Sequence, residues 1–217
     1  MDTLLLGLVR GLVGGLQALP LRLVARLGRA VGTLAWALDA RHRRVALENL
    51  RACFGSEIAP SALHRLAREH FRRLGENYAG AVRTAALSDA AIRQILTLSG
   101  AEHVRVSSGA AGGSVVVAIG HFGNFELYAR AGLFLPEFQM ATTYRALRQP
   151  ALTRLMQDLR ARSGCLYFER RTEGAVLREA LGRSRLMLGL LADQDAGDRG
   201  LAVPFFGREC STSTAPA

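Results

Sequence analysis

No lysine occurs in the 217 residues; all 28 basic side chains are arginine, against 18 acidic ones, for a net charge of +10. Those arginines run from Arg10 to Arg208 with no dense basic block. Zinc-finger spacing, an aromatic RNA-recognition motif and a GxxxxGK[ST] phosphate loop are all missing, which argues against a nucleic-acid partner and nucleotide hydrolysis. Arginine-only basicity fits a GC-rich coding sequence. It equally fits recognition of phosphate or carboxylate, which guanidinium binds bidentately. Cysteine is scarce: Cys53, Cys165 and Cys210 are odd in number and far apart. That pattern supplies neither a disulfide framework nor a zinc site and suits a reducing compartment.

Acidic residues are missing from 3–38, TLLLGLVRGLVGGLQALPLRLVARLGRAVGTLAWAL. A long uncharged run is missing too. Arg10 cuts the first apolar stretch, and the longest uncharged run, 11–21, falls short of the ~20 residues that span a bilayer. The start lacks the basic n-region and small-residue cleavage motif of a secretory signal. What remains is an apolar, exclusively positive pair of helices, the second started by Pro20. Arg22, Arg26 and Arg29 recur at helical spacing, with Leu23, Val24, Leu27 and Val31 around the rest. This predicts residues 1–40 to lie in a membrane interface with arginines at headgroup level.

Helical spacing continues through 41–53 and 59–86, and Ser88 reads as an N-cap for DAAIRQIL. SSGAAGG (107–113) is a turn-rich break. Beyond it strands and helices alternate. Strands are expected at 115–119, 138–144, 165–168 and 185–191. Helices are expected at 123–134, 150–162 and 173–182, the last with Thr172 as N-cap. The fold class is therefore α/β: a mostly parallel central sheet with flanking helices over 41–217, preceded by the helical, membrane-associated N-terminal region.

Ligand sites in such sheets lie at the carboxyl ends of the strands. The strand SVVVAI ends in Gly-His-Phe-Gly-Asn, so His121 stands at such an end, between Gly120 and Gly123. Glu126, five positions on, can curl back and accept a hydrogen bond from one imidazole nitrogen. That would fix the tautomer and leave the other nitrogen as a base. No G-x-S-x-G elbow supplies a protein nucleophile, so the nucleophile is expected to be a substrate hydroxyl. His42, His64, His70 and His103 show no metal-ligand spacing, and no metal is expected.

HFGNFE (121–126) together with ADQDAGDRGLAVPFFG (192–207) resembles the bacterial lipid A biosynthesis lauroyl/myristoyl acyltransferases, within the lysophospholipid acyltransferase-like superfamily. The basic N-terminal helices and TTYRALRQPALTRLMQDLRARSG (142–164) share in the resemblance. It implies transfer of a fatty acyl chain from an acyl-carrier-protein or coenzyme A thioester to a hydroxyl of a lipid A precursor, at the cytoplasmic face of the inner membrane. The thioester is a co-substrate, and no separate cofactor is implied. By this resemblance His121 is the base, Glu126 its carboxylate partner, and Arg160 an oxyanion or phosphate ligand, with Arg162 as its near neighbour. Gly123, Asn124, Arg145, Asp193, Gln194 and Asp195 would contact substrate or order the pocket. Pro204-Phe205-Phe206 reads as core packing in preference to an acyl-chain wall. Relatives run further than this chain, and STSTAPA (211–217) reads as the start of a next helix, so a C-terminal part is expected to be missing. The alternatives are a glycerophospholipid or glycolipid acceptor, or an inactive membrane-bound remnant.

Overall fold

The computed structural model describes residues 2–109, 112–183 and 185–216. Ala110 and Ala111, in the expected turn-rich break, lie outside the described residues, as does Ala217 of the final segment. Six helices come first: α1 (Asp2–Ala18), α2 (Leu21–Leu38), α3 (Ala40–Phe54), α4 (Pro60–Thr84), α5 (Asp89–Ile95) and α6 (Ala101–Ser107). Pro20 stands at the N-cap of α2, and Pro60 opens α4 at its first position, where a missing N–H costs nothing. Ser88 caps α5 as expected, accepting from the Ala91 N–H. The helix α6, entered through Gly100 with φ +79°, carries too short a pattern to be read from the sequence.

The pairing of α2 with α4 depends on glycine. Gly28 and Gly32 lie one turn apart on α2 and face Gly75 of α4. A Cβ at Gly32 would strike the Phe71 carbonyl, and one at Gly75 the Gly28 carbonyl. Val24 and Trp36 complete the contact, with Trp36 meeting His64 and Phe71 edge-on at 5.1 and 5.3 Å. Arg29 points inward as well, to Glu69 (2.7 Å) and Glu76 (3.0 Å) of α4. So Arg29 does not stand outward with Arg22 and Arg26, and Val24 does not stand outward with Leu23, Leu27 and Val31; both hold α2 to α4. The outward face of α2 carries Leu23, Leu27, Val31, Leu34 and Leu38, all exposed, and α1 exposes Leu4, Leu5, Leu8 and Leu12. Among the described residues no helix is long and apolar enough to cross a membrane. Because overpacking between two backbones has no flexible side chain to absorb it, Gly32→Leu is expected to cost about 3 kcal/mol or more. The urea midpoint measures this; an unchanged midpoint would contradict the close packing.

The second half is built on four parallel strands, β1 (Val115–Ile119), β2 (Gln139–Tyr144), β3 (Leu166–Glu169) and β4 (Leu186–Leu191), in the order β1-β4-β2-β3. The inner strand β4 reads LMLGLL, the near-continuous apolar run of a strand covered on both faces. One face packs Val115, Met140 and Met187 with Ala131, Leu135 and Phe138. The other packs Ala141, Phe168, Leu186 and Leu188 against Leu177, Ala180 and Leu181 of α8 (Gly174–Arg183). Helix α7 (Pro150–Arg160) joins β2 to β3. The expected helix after β1 is a 3-10 helix, Phe125–Leu133. Its Tyr128 hydroxyl donates to the Met187 carbonyl (2.6 Å), and its Arg130 is tied to two other segments, so the turn is wound between fixed points. Thr172 does not cap α8. The helix starts at Gly174, and the Thr172 hydroxyl donates to Glu169 (3.1 Å) instead.

The final segment also departs from expectation. Strands β5 (Leu201–Phe205) and β6 (Arg208–Thr212) form an antiparallel hairpin, so Ser211 and Thr212 are extended rather than helical. Phe206 and Gly207 turn it with φ +50° and +69°, the left-handed pair that matches strand twist. Phe205 and Phe206 are 62% and 52% exposed, so this segment is not core; Phe206 leans edge-on against Phe54 (5.1 Å).

Candidate active site

Register explains the centre of the site. β1 and β4 are adjacent and parallel, with Ile119 opposite Leu191, and the ladder continues through Ala192 N–H to the Ile119 carbonyl (3.1 Å). His121 and Asp193 each lie two residues past that last pair, so they emerge side by side at the carboxyl edge. The His121 ring Nδ1 is 2.7 Å from Asp193 Oδ1, and the His121 N–H donates to Oδ2 (2.6 Å). The carboxylate on the histidine is therefore Asp193 and not Glu126. A side chain at residue 120 would sit 3.3 Å from Asp193 Oδ2, so Gly120 makes room for the clasp. Phe125 closes edge-on against the imidazole at 5.0 Å. An ionised carboxylate only accepts, so Nδ1 carries the hydrogen and Nε2 presents its lone pair. Burial opposes ionisation of Asp193, but the two His121 hydrogen bonds outweigh it and hold its pKa below the ordinary value.

Glu126 has another partner. Its carboxylate takes a two-pronged bond from Arg160 at the end of α7: Nε to Oε2 at 3.0 Å and Nη2 to Oε1 at 2.5 Å. The two side chains are 18% and 27% exposed. The Arg160 guanidinium also stacks over Tyr167 at 5.0 Å. Burial works against its charge, but Glu126 more than compensates and raises its pKa. Burial also raises the Tyr167 pKa and pushes the neighbouring Cys165 thiol up to about 12, which removes it as a thiolate nucleophile.

A cavity of about 790 Å³ joins these groups. His121, Gly123, Asn124, Glu126, Arg145, Arg160 and Gln194 line it. Asp193 stands behind His121, outside the lining. Asp195 accepts the Gly197 N–H (3.3 Å) and shapes its own turn, and Arg162 is exposed and gives only its carbonyl, to Arg130. Gly123 holds φ +61°, which a side chain would strain. The orientation of the Asn124 amide follows from its partner. The Thr84 hydroxyl spends its hydrogen on the Ala81 carbonyl (3.2 Å), so Asn124 Nδ2 must donate to it (3.1 Å). That leaves Asn124 Oδ1 buried with no protein partner.

Sequence reasoning missed Arg130. It is 7% exposed and bonds the carbonyls of Arg162 and Leu87 and the carboxylate of Asp89, clamping the floor of the cavity. It missed the contribution of α4, through Asn77, Tyr78 and Thr84, and it missed Arg170 at the mouth. Glu169, at the end of β3, steadies that mouth by accepting the N–H groups of Arg171 (2.7 Å) and Thr172 (3.0 Å).

Several carboxylates share the depressed ionisation of Asp193. Burial opposes it at Glu169, but the N–H and hydroxyl donors win; Asp39 is lowered by the His42 N–H at the start of α3. A carboxyl whose pKa falls on folding adds stability above its unfolded value, near pH 4, and that stability drains as pH falls through the folded value. The urea midpoint is expected to drop steadily below about pH 5; a midpoint that holds level to pH 3 would contradict these assignments.

A family model described as bacterial lipid A biosynthesis acyltransferase matches residues 3–217. Comparison with curated proteins gave no match.

Proposed function

Since the chain belongs to the bacterial lipid A biosynthesis acyltransferases and is an acyltransferase, we propose that His121 is the general base that moves a fatty acyl chain onto a hydroxyl of a lipid A precursor. The donor is an acyl thioester, carried by acyl carrier protein or coenzyme A. The acceptor hydroxyl gives its proton to His121 Nε2, and the oxygen attacks the thioester carbonyl carbon. A C–O bond forms, and the C=O pair moves onto oxygen. When that pair returns, the C–S bond breaks, and the sulfur leaves with the proton held by the imidazolium. Asp193 keeps Nδ1–H in place and stabilises the imidazolium between the two proton transfers.

The developing oxyanion needs fixed donors in a site screened from water. Arg160 spends Nε and one Nη2 proton on Glu126, which leaves guanidinium hydrogens free on the cavity side. Glu126 is thus the residue that holds the arginine. Arg145 and Arg170 at the mouth suit the phosphate of a carrier or a phosphorylated acceptor. The observation that carries this reading is the His121–Asp193 clasp, with Nε2 free, beside the same cavity that receives Arg160.

The leucine faces of α1 and α2 support an interfacial position, at the cytoplasmic face of the inner membrane. Leu23, Leu27, Val31, Leu34 and Leu38 would enter the acyl boundary, with Arg22 and Arg26 beside them at headgroup depth. The acceptor is tested by incubating the protein with acyl-carrier-protein and coenzyme A thioesters and an underacylated lipid A precursor, followed by intact-lipid mass spectrometry. The expected product is the precursor plus one acyl group. Transfer to a lysophospholipid but not to the precursor would overturn the assignment of acceptor.

A further inference from the structure

We propose that the groove between α2 and α4 binds the phosphomonoester headgroup of an anionic lipid, at a site separate from the acyl-transfer cavity. The proposal rests on the interfacial position given above. The groove has a volume of about 410 Å³ and is lined by Arg26, Arg29, Ala30 and Thr33 of α2 and Arg68 and Arg72 of α4. It shares no lining residue with the cavity that holds His121.

Charge sets the ligand. Glu69 and Glu76 serve Arg29, Arg72 and Arg73 through bonds of 2.7 to 3.1 Å. Arg26 and Arg68 are exposed and have no ion pair among the described residues. Glu69 and Glu76 offset Arg29 and Arg72, so the charge left uncompensated in the groove is that of Arg26 and Arg68, which an anion between them would neutralise. The Thr33 hydroxyl gives its hydrogen to the Arg29 carbonyl (2.9 Å), so the donors left facing the groove are guanidinium hydrogens. A phosphomonoester, with three terminal oxygens and up to two charges, can engage two such forks at once.

Position sets the source. Arg26 lies three residues from Leu23, and Ala30 lies three from Leu27 and four from Leu34, which makes them neighbours on the surface of α2. The groove therefore opens beside the exposed apolar face, at the depth where lipid phosphates sit once that face is in the membrane. Its volume is several times that of a bare phosphate and admits a headgroup.

The test is flotation of the full chain with three vesicle types: phosphatidylcholine alone, phosphatidylcholine with phosphatidic acid, and phosphatidylcholine with oleate at matched zeta potential. Binding to phosphatidic acid vesicles is expected to exceed binding to oleate vesicles by about tenfold. Arg26→Gln with Arg68→Gln is expected to erase that preference and leave binding to neutral vesicles unchanged. The exposed α3 pair Arg41→Gln with Arg44→Gln is expected to keep it. Equal binding to the two anionic vesicles, or a preference that survives in the Arg26/Arg68 variant, would overturn the groove and leave the interfacial position standing. No binding to any vesicle would overturn both. Binding of inorganic phosphate by the chain in solution, lost in the Arg26/Arg68 variant, without any preference for phosphatidic acid vesicles would assign the groove to the free anion and overturn the lipid assignment.

Discussion

Asp193→Asn is expected to lower kcat by about 10³–10⁴ with KM changed only a few-fold. The asparagine oxygen can still accept the His121 backbone N–H, so the loop holds its shape. Its amide then faces Nδ1 and donates to it. That places the ring hydrogen on Nε2, where it blocks uptake of the proton from the acceptor hydroxyl. A loss of that size is roughly 4–5.5 kcal/mol of barrier, far more than a surface hydrogen bond supplies. Steady-state kinetics on both variants separates the two carboxylates. Were Glu126 the partner of the histidine, Glu126→Gln would show this pattern and Asp193→Asn would be mild. That outcome would contradict the clasp described here.

Arg160→Lys is expected to lower kcat by about 10²–10³ while the protein stays folded. Lysine keeps the charge but not the planar fork. It can hold Glu126 or reach the oxyanion, not both in one geometry. The cost to stability is expected to be about 1–3 kcal/mol, from a charge-assisted bond lost in a site less than a third exposed. Arg160→Ala should cost more, about 3–5 kcal/mol, because it strands the Glu126 carboxylate. Paired kinetics and urea unfolding on the two variants check this. Wild-type turnover in Arg160→Lys would remove Arg160 from the chemistry and leave it a brace for the cavity wall.

The sequence showed the parallel sheet because its strands and helices announce themselves by texture, VVVAI and LMLGLL being apolar from end to end. It also showed His121 as a group at a strand's edge. It could not show which carboxylate meets that histidine. Glu126 is near in the chain, whereas Asp193 is near only because β4 lies next to β1, and strand order is not written in local periodicity. A usable signal existed: HFGN and DQD each begin directly beyond an apolar strand, so equal offsets would meet if the strands were neighbours. Arg130 gave no signal, since a buried cation tied to two carbonyls looks like any arginine in a helix. Arg29 misled for a related reason. Helical spacing put it with Arg22 and Arg26, and only the glutamates of α4 turn it inward. The closing hairpin was missed because its turn places a phenylalanine at positive φ, where glycine or asparagine is the usual mark.

The most direct test is intact-lipid mass spectrometry of lipid A from cells that lack their own late acyltransferase. Those cells would make either this chain or His121→Ala, with equal protein levels confirmed. The account predicts a lipid A species heavier by one acyl group with the parent chain and its loss in the variant. A heavier species of equal abundance in both would contradict the assignment of His121 as the base.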